Sequence, residues 1–180
     1  MNRISQFSAS ELRSFSALLG DHLKPLSLLE IAVILGAGCV GGAFFAFSSF
    51  VMPALEKIDG PGGMLAMKQI NATVLNSSFL IVLMGTGLLM VVMLYFEPSL
   101  KGASGKLIVG SCLLYLVGTL CVTMLFNVPL NVKLDEFRGD DVSRWKEYVR
   151  DWTIWNSVRG LAAAGSSAML LLAVVLRRPV

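Results

Sequence analysis

Four long apolar runs, covering about residues 26–51, 70–95, 107–126 and 152–176, alternate with short polar segments. Each run holds about 20 or more apolar residues, enough at about 1.5 Å per residue to cross a hydrocarbon layer of roughly 30 Å. The pattern predicts an all-α fold, a four-transmembrane-helix bundle over residues 27–180. A polar, Ser-rich leader at 1–26 precedes it. In the leader, Ser8 to Glu11 has capping-box spacing, and Leu12, Phe15 and Leu19 follow on one helical face. The spacing predicts a short amphipathic helix on the membrane surface, with a disordered tail as the competing reading.

The connections are marked by their own chemistry. Pro53 ends the first run, and Gly60-Pro61-Gly62-Gly63 is the turn of a loop over 54–69. A short polar turn spans Glu97 to Lys106. The loop from Val132 to Asp151 mixes acidic and basic residues, as a solvated helix surface does. Gly38 and Gly42 in the first run have the GxxxG spacing that lets a second helix approach closely, and the small residues 162–167 extend that option to the fourth. Glu30, near the start of the first run, is expected at the interface.

Composition agrees with the pattern. The 180 residues are 55% hydrophobic and 15% charged, against about a quarter charged in a soluble domain, and the mean hydropathy is +0.71. A net charge of +3 gives no basic surface for nucleic acid. Cys39, Cys112 and Cys121 fall inside apolar runs without a CxxC pair and read as small buried hydrophobes. His22 is the only histidine, which removes bis-His haem and multi-His copper or zinc sites; no metal is expected.

Four spans put both termini on one side. That side carries Arg3, Arg13, Lys24, Lys101, Lys106, Arg177 and Arg178. The other carries Lys57, Lys68, Lys133, Arg138, Arg144, Lys146, Arg150 and Arg159. The counts nearly tie, and the cleaner positive excess beside the helix ends favours cytoplasmic termini in a bacterial inner membrane.

Two polar strings interrupt the greasy chain: Phe126 to Asn131, and Trp152 to Arg159. Chain order brings them to one membrane face with Asn71, Asn76 and the cluster Phe44, Phe45, Phe47 and Phe50. Trp152, Trp155, Asn156 and Arg159 follow i+3 and i+4 steps and share one stripe of a helix. Arg159 lies two turns inside an apolar run, where an unpaired guanidinium costs about 3 kcal/mol or more, so it must find partners or reach for the surface. An aromatic belt with interhelical Asn hydrogen bonds is the bland reading; a polar pocket is the sharper one.

The segments FFAFSSFVMPAL (44–55), INATVLNSSF (70–79), FNVPLN (126–131) and WTIWNSVR (152–159), in that order, resemble the anthrone-oxygenase-like family of small four-helix membrane proteins, largely described as a domain of unknown function. The resemblance covers about residues 30–176. It implies O₂-dependent oxidation of a hydrophobic aromatic or quinone-like compound without a cofactor. It also points to Asn71, Asn76, Asn127, Asn131, Trp155, Asn156 and Arg159 as the pocket. Arg159, Asn156 and Asn127 would then stabilise an oxyanion. Asn71, Asn76, Asn131, Trp152, Trp155 and Phe47 would bind the flat ring. No residue stands out as a general base. The competing reading is a non-enzymatic membrane subunit or small-ligand binder, packing through its glycine-rich helices into a homo-oligomer or larger membrane complex. The expected partners are a hydrophobic small molecule and the lipid bilayer.

Overall fold

A computed structural model describes residues 25–58, 61–96, 102–137 and 141–177. The expected leader lies outside the described residues up to residue 24. Every element described is helical. Helix α1 (Pro25–Ala46) runs through a π-helical turn (Phe47–Val51) into α2 (Met52–Glu56). Helix α3 (Gly62–Val74) and α4 (Ser78–Phe96) follow. Helix α5 (Gly102–Tyr115) passes through two π-helical segments (Leu116–Cys121 and Thr123–Asn127) into α6 (Val128–Glu136), and α7 (Val142–Arg177) closes the chain. Leu28–Glu56, Ser78–Phe96, Gly102–Glu136 and Val142–Leu176 are long and apolar enough to cross a membrane. Large apolar side chains such as Leu35, Ile81, Leu88 and Leu161 stand on the outside of the bundle. This is the construction of an integral membrane protein.

Two of the three π-helical segments described have a sequence cause. Proline has no N–H, and its ring clashes with the carbonyl four residues back. Phe47–Val51 stops two residues before Pro53, and Thr123–Asn127 stops two residues before Pro129. The helix widens there to i→i+5 bonding, with the Met52 N–H on the Phe47 carbonyl and the Val128 N–H on the Thr123 carbonyl. Both rods therefore continue past their prolines rather than ending, as the first had been expected to do at Pro53.

The second span is shorter than its hydropathy suggests. The helix expected from residue 70 is broken at Leu75–Ser77. The Ser77 hydroxyl donates to the Val74 carbonyl (2.8 Å) and accepts the Leu80 N–H (3.4 Å), ending α3 and capping α4. Asn71 thus belongs to a separate amphipathic helix. Lys68 on that helix donates to the Asp135 and Phe137 carbonyls (3.1 and 2.9 Å) at the C-terminal end of α6, where helix carbonyls lack partners. The charged stretch after 141 is likewise no loop but the first turns of α7.

Helix α7 is the hub. It packs on α1 along one face and on α5 along another, and α1 also packs on α4. The α1–α7 seam is built from small residues: a Cβ on Gly41 would stand 3.0 Å from the Ala164 nitrogen, and Ser167 donates to the Ile34 carbonyl (2.9 Å). On the α5 side, Ser111 and Ser166 exchange hydrogen bonds with each other's carbonyls (2.8 and 2.9 Å). Gly41 and the small residues of α7 therefore serve packing within the chain, whereas Gly38 and Gly42, the pair with GxxxG spacing, are exposed. Glu30, expected at the interface, is buried at 7% exposure. Of the cysteines only Cys112 is buried; Cys39 and Cys121 lie on the outer surface, because each apolar run has a lipid-facing side.

At the end of the bundle that holds both prolines, a second apolar cluster forms from α2, α3, α6 and the start of α7, including Met52, Met67, Leu134, Trp145 and Tyr148. This cap depends on the close approach of α3 to α2, where a Cβ on Gly63 would collide with the Leu55 carbonyl oxygen. Gly63→Ala is expected to destabilise the protein by about 1–3 kcal/mol, the usual cost of overpacking. Gly42→Ala, whose Cβ would meet nothing within 4 Å, is expected to be near neutral. Thermal unfolding of the two variants in detergent measures the difference.

Candidate functional site

Arg159 is only 7% exposed, and its surroundings are built from three spans. Its Nε and Nη2 both donate to Asn156 Oδ1, one turn earlier on α7 (3.1 and 2.9 Å), and Nη1 donates to Thr123 Oγ1 (3.2 Å). The cation sits over aromatic rings, with Cζ 4.0 Å from the Phe44 ring centroid and 5.2 Å from that of Trp152. Such contacts stabilise a desolvated cation by about 2 kcal/mol. No ion pair joins Arg159 to a carboxylate among the described residues. A guanidinium has five N–H donors, so three bonds leave one hydrogen on each terminal nitrogen without an acceptor among the described residues.

Asn156 holds this arrangement in place. It is fully buried, and its Nδ2 donates to the Phe44 carbonyl and to Ser48 Oγ, both at 2.7 Å. Phe44 stands just before the π-helical turn, so the asparagine satisfies backbone where the α1 ladder changes register. Ser157 donates to Ser48 Oγ as well (2.9 Å). From the third span, Thr119 donates to the Arg159 carbonyl (3.0 Å), and Thr123 donates to the Thr119 carbonyl (2.7 Å), which turns its oxygen lone pairs to the guanidinium.

A second layer lies toward the cap. Asn131 Oδ1 accepts from the Tyr148 hydroxyl and from Trp152 Nε1, both at 2.9 Å, and Asn71 Nδ2 reaches the Tyr148 oxygen at 3.5 Å. Asn131 thereby fixes the indole that faces Arg159. Phe47 packs on the same indole, with ring centroids 5.9 Å apart. Asn127 Nδ2 donates to the Trp152 carbonyl (3.2 Å), while its Oδ1 is buried with no hydrogen-bond partner. A buried amide oxygen left empty costs about 1–3 kcal/mol, and one donor from a bound molecule would satisfy it.

The residues singled out from sequence therefore fall into three groups. Arg159, Asn156 and Trp152 meet at the buried guanidinium, and Asn127 joins them through the Trp152 carbonyl. Asn131, Asn71 and Phe47 stand behind it, through Tyr148 and Trp152. Trp155 and Asn76 are elsewhere: Trp155 stacks on Phe126 (centroids 3.6 Å apart, planes 14° apart), and Asn76 is exposed in the turn between α3 and α4. Sequence reasoning missed Thr119, Thr123 and Ser48. A signal existed for the first two, since Thr119, Thr123, Asn127 and Asn131 recur every fourth residue and form one polar stripe on the third span.

The arrangement offers a buried positive charge with two unused donors packed on two aromatic rings, and an unused amide acceptor on Asn127, which bonds the Trp152 carbonyl. Such donors stabilise negative charge on an oxygen brought to them. Among the described residues no group of three or more His, Cys, Asp or Glu side chains is placed to hold a metal ion. A family model described as Anthrone oxygenase matches residues 64–169, more than half of the chain. The matched stretch holds the polar stripes of the third and fourth spans; Phe44 and Ser48 precede it. No curated protein and no solved structure matches the chain.

Asn156→Ala would strip Arg159 of two of its three hydrogen bonds and release the Phe44 carbonyl. Its expected cost is about 3–5 kcal/mol, that of breaking a buried charged network. Asn76→Ala, at an exposed turn, is expected to stay within about 0.5 kcal/mol. Unfolding midpoints in detergent compare the two.

Proposed function

This chain belongs to the anthrone oxygenase family, and on that premise we propose that it catalyses the O₂-dependent oxidation of a hydrophobic anthrone-like aromatic within the membrane. One observation carries the reading: a buried guanidinium with two unused N–H groups and no carboxylate partner among the described residues. A cation kept in that condition stabilises an anionic oxygen more strongly than water would.

The chemistry follows from the substrate class. Loss of a proton from the methylene carbon of an anthrone gives a delocalised anion with its charge on the ring oxygen. Arg159 holds that oxygen, which favours the deprotonated form, and the proton passes to solvent. The anion transfers one electron to O₂, the resulting radical pair joins at the former methylene carbon, and protonation gives a hydroperoxide. Cleavage of the O–O bond with loss of the remaining C–H proton leaves a carbonyl and releases water. One O₂ therefore yields one anthraquinone and one water. Because the substrate anion supplies the electrons itself, the reaction needs no resident redox group.

The chain's own residues bind, orient and exclude water. Asn127 Oδ1 accepts a hydroxyl hydrogen from the substrate, while Trp152 and Phe44 form the walls. Asn131 and Asn71 position Trp152 and Tyr148. We place the protein in a bacterial inner membrane with cytoplasmic termini, on the positive excess beside the helix ends.

The test is O₂ uptake with anthraquinone formation, using detergent-purified protein and anthrone. Wild-type protein is expected to consume one O₂ per anthraquinone formed. Arg159→Gln is expected to lower kcat by about 100-fold or more, the loss typical of removing an oxyanion donor. Arg159→Lys keeps the charge in case the Gln variant fails to fold. Anthrone binding without O₂ uptake would support a ligand-binding protein instead. An unchanged rate in a folded Arg159→Gln variant would remove the guanidinium from the mechanism.

A further inference from the structure

A second polar feature lies outside the Arg159 site and is independent of the proposed activity. A cleft of about 290 Å³ opens between α2 and the N-terminal half of α7, lined by Pro53, Glu56, Lys146, Val149, Arg150 and Thr153. Lys146, Arg150 and Thr153 are spaced by four and three residues, so they point from one face of α7. Glu56 stands on the opposite wall. Glu56 and Lys146 form no ion pair with each other or with any other described residue. Arg150 gives its Nε to Asp151 Oδ1 (2.8 Å), leaving its two terminal amino groups to the cleft. Thr153 Oγ1 is buried and has no hydrogen-bond partner.

Position limits what such a cleft would take. It lies at the end of the bundle where the fourth span leaves the membrane. Phe50, one turn before Pro53, and Ile154, next to Thr153, are more than half exposed on the lipid-facing surface. A ligand here would meet separated opposite charges above and bilayer hydrocarbon below.

We propose that the cleft seats the headgroup of a zwitterionic phospholipid. The phosphate lies on Lys146 and Arg150, with the Thr153 hydroxyl turning out of its buried position to donate to it, the ammonium faces Glu56, and the acyl chains run along Phe50 and Ile154. Cations alone would fit free phosphate equally well. The carboxylate across the cleft and the apolar flank favour a lipid that carries both charges.

Native mass spectrometry of the detergent-purified protein tests this, with phosphatidylethanolamine and phosphatidylglycerol of identical chains and with inorganic phosphate as competitor. Wild-type protein is expected to retain phosphatidylethanolamine over phosphatidylglycerol. The double variant Lys146→Gln, Arg150→Gln is expected to lose retention of both by about tenfold or more, the worth of a charge-assisted hydrogen bond. Glu56→Gln is expected to abolish the preference between them while keeping the phosphate contacts. All three residues are exposed, so the variants are expected to fold. Equal retention by wild type and the double variant would overturn the proposal. Displacement of bound lipid by millimolar inorganic phosphate would identify a free-anion site and overturn the lipid assignment.

Discussion

One asparagine side chain holds the polar end of this bundle together. Asn156 offers its oxygen to two N–H groups of Arg159 and its nitrogen to the Phe44 carbonyl and the Ser48 hydroxyl. A single neutral amide thus satisfies a buried charge on α7 and backbone on α1 together. In hydrocarbon both would be costly if left alone. Everything else at the site follows from where this amide puts the guanidinium. Phe44 supplies one aromatic contact, Trp152 another, and Thr123 takes one of the three hydrogens that Asn156 does not reach. The absence of a carboxylate among these partners separates the arrangement from an ordinary buried salt bridge, whose charges cancel one another.

The same constraint shapes the backbone around the site. Pro53 and Pro129 each remove a donor from a helix that must keep its polar groups bonded, and each is preceded by a widened turn. Widening rotates the following residues and carries Asn127 and Asn131 to the fourth span, where one contacts the Trp152 carbonyl and the other its indole. Farther along the bundle, where no proline intervenes, α7 meets its neighbours through Gly41, Ala164, Ser111 and Ser166 at backbone distance. A rigid seam below and a polar network above make α7 the common support of both.

The spans were legible because a membrane imposes a strong signal: each crossing must be long and free of charge. Arg159 was legible for the converse reason, as a charge inside such a run. The break at Leu75–Ser77 was not, because apolar residues continue through it and only a serine cap divides the helices. Burial was the other gap. Glu30 and the three cysteines sit in runs that are apolar on every side, so periodicity could not say which face turns inward. The threonines at 119 and 123 are spaced with Asn127 and Asn131, but a hydroxyl in a transmembrane helix usually satisfies itself on its own backbone. Only the position of Arg159 shows that Thr123 does both. Asn76 stands exposed in a turn and Trp155 stacks on Phe126, placements that chain order cannot specify.

The distribution of tryptophan carries an optical consequence. The chain has three tryptophans, Trp145, Trp152 and Trp155, and all stand within eleven residues on one end of α7. Each samples a different surrounding: Trp145 stacks with Tyr148 in the cap, Trp152 faces the guanidinium, and Trp155 stacks on Phe126 near the membrane boundary. The rest of the bundle is dark at the indole emission wavelength. The intrinsic emission of this protein is therefore a built-in reporter of its polar end, insensitive to events at the opposite membrane face.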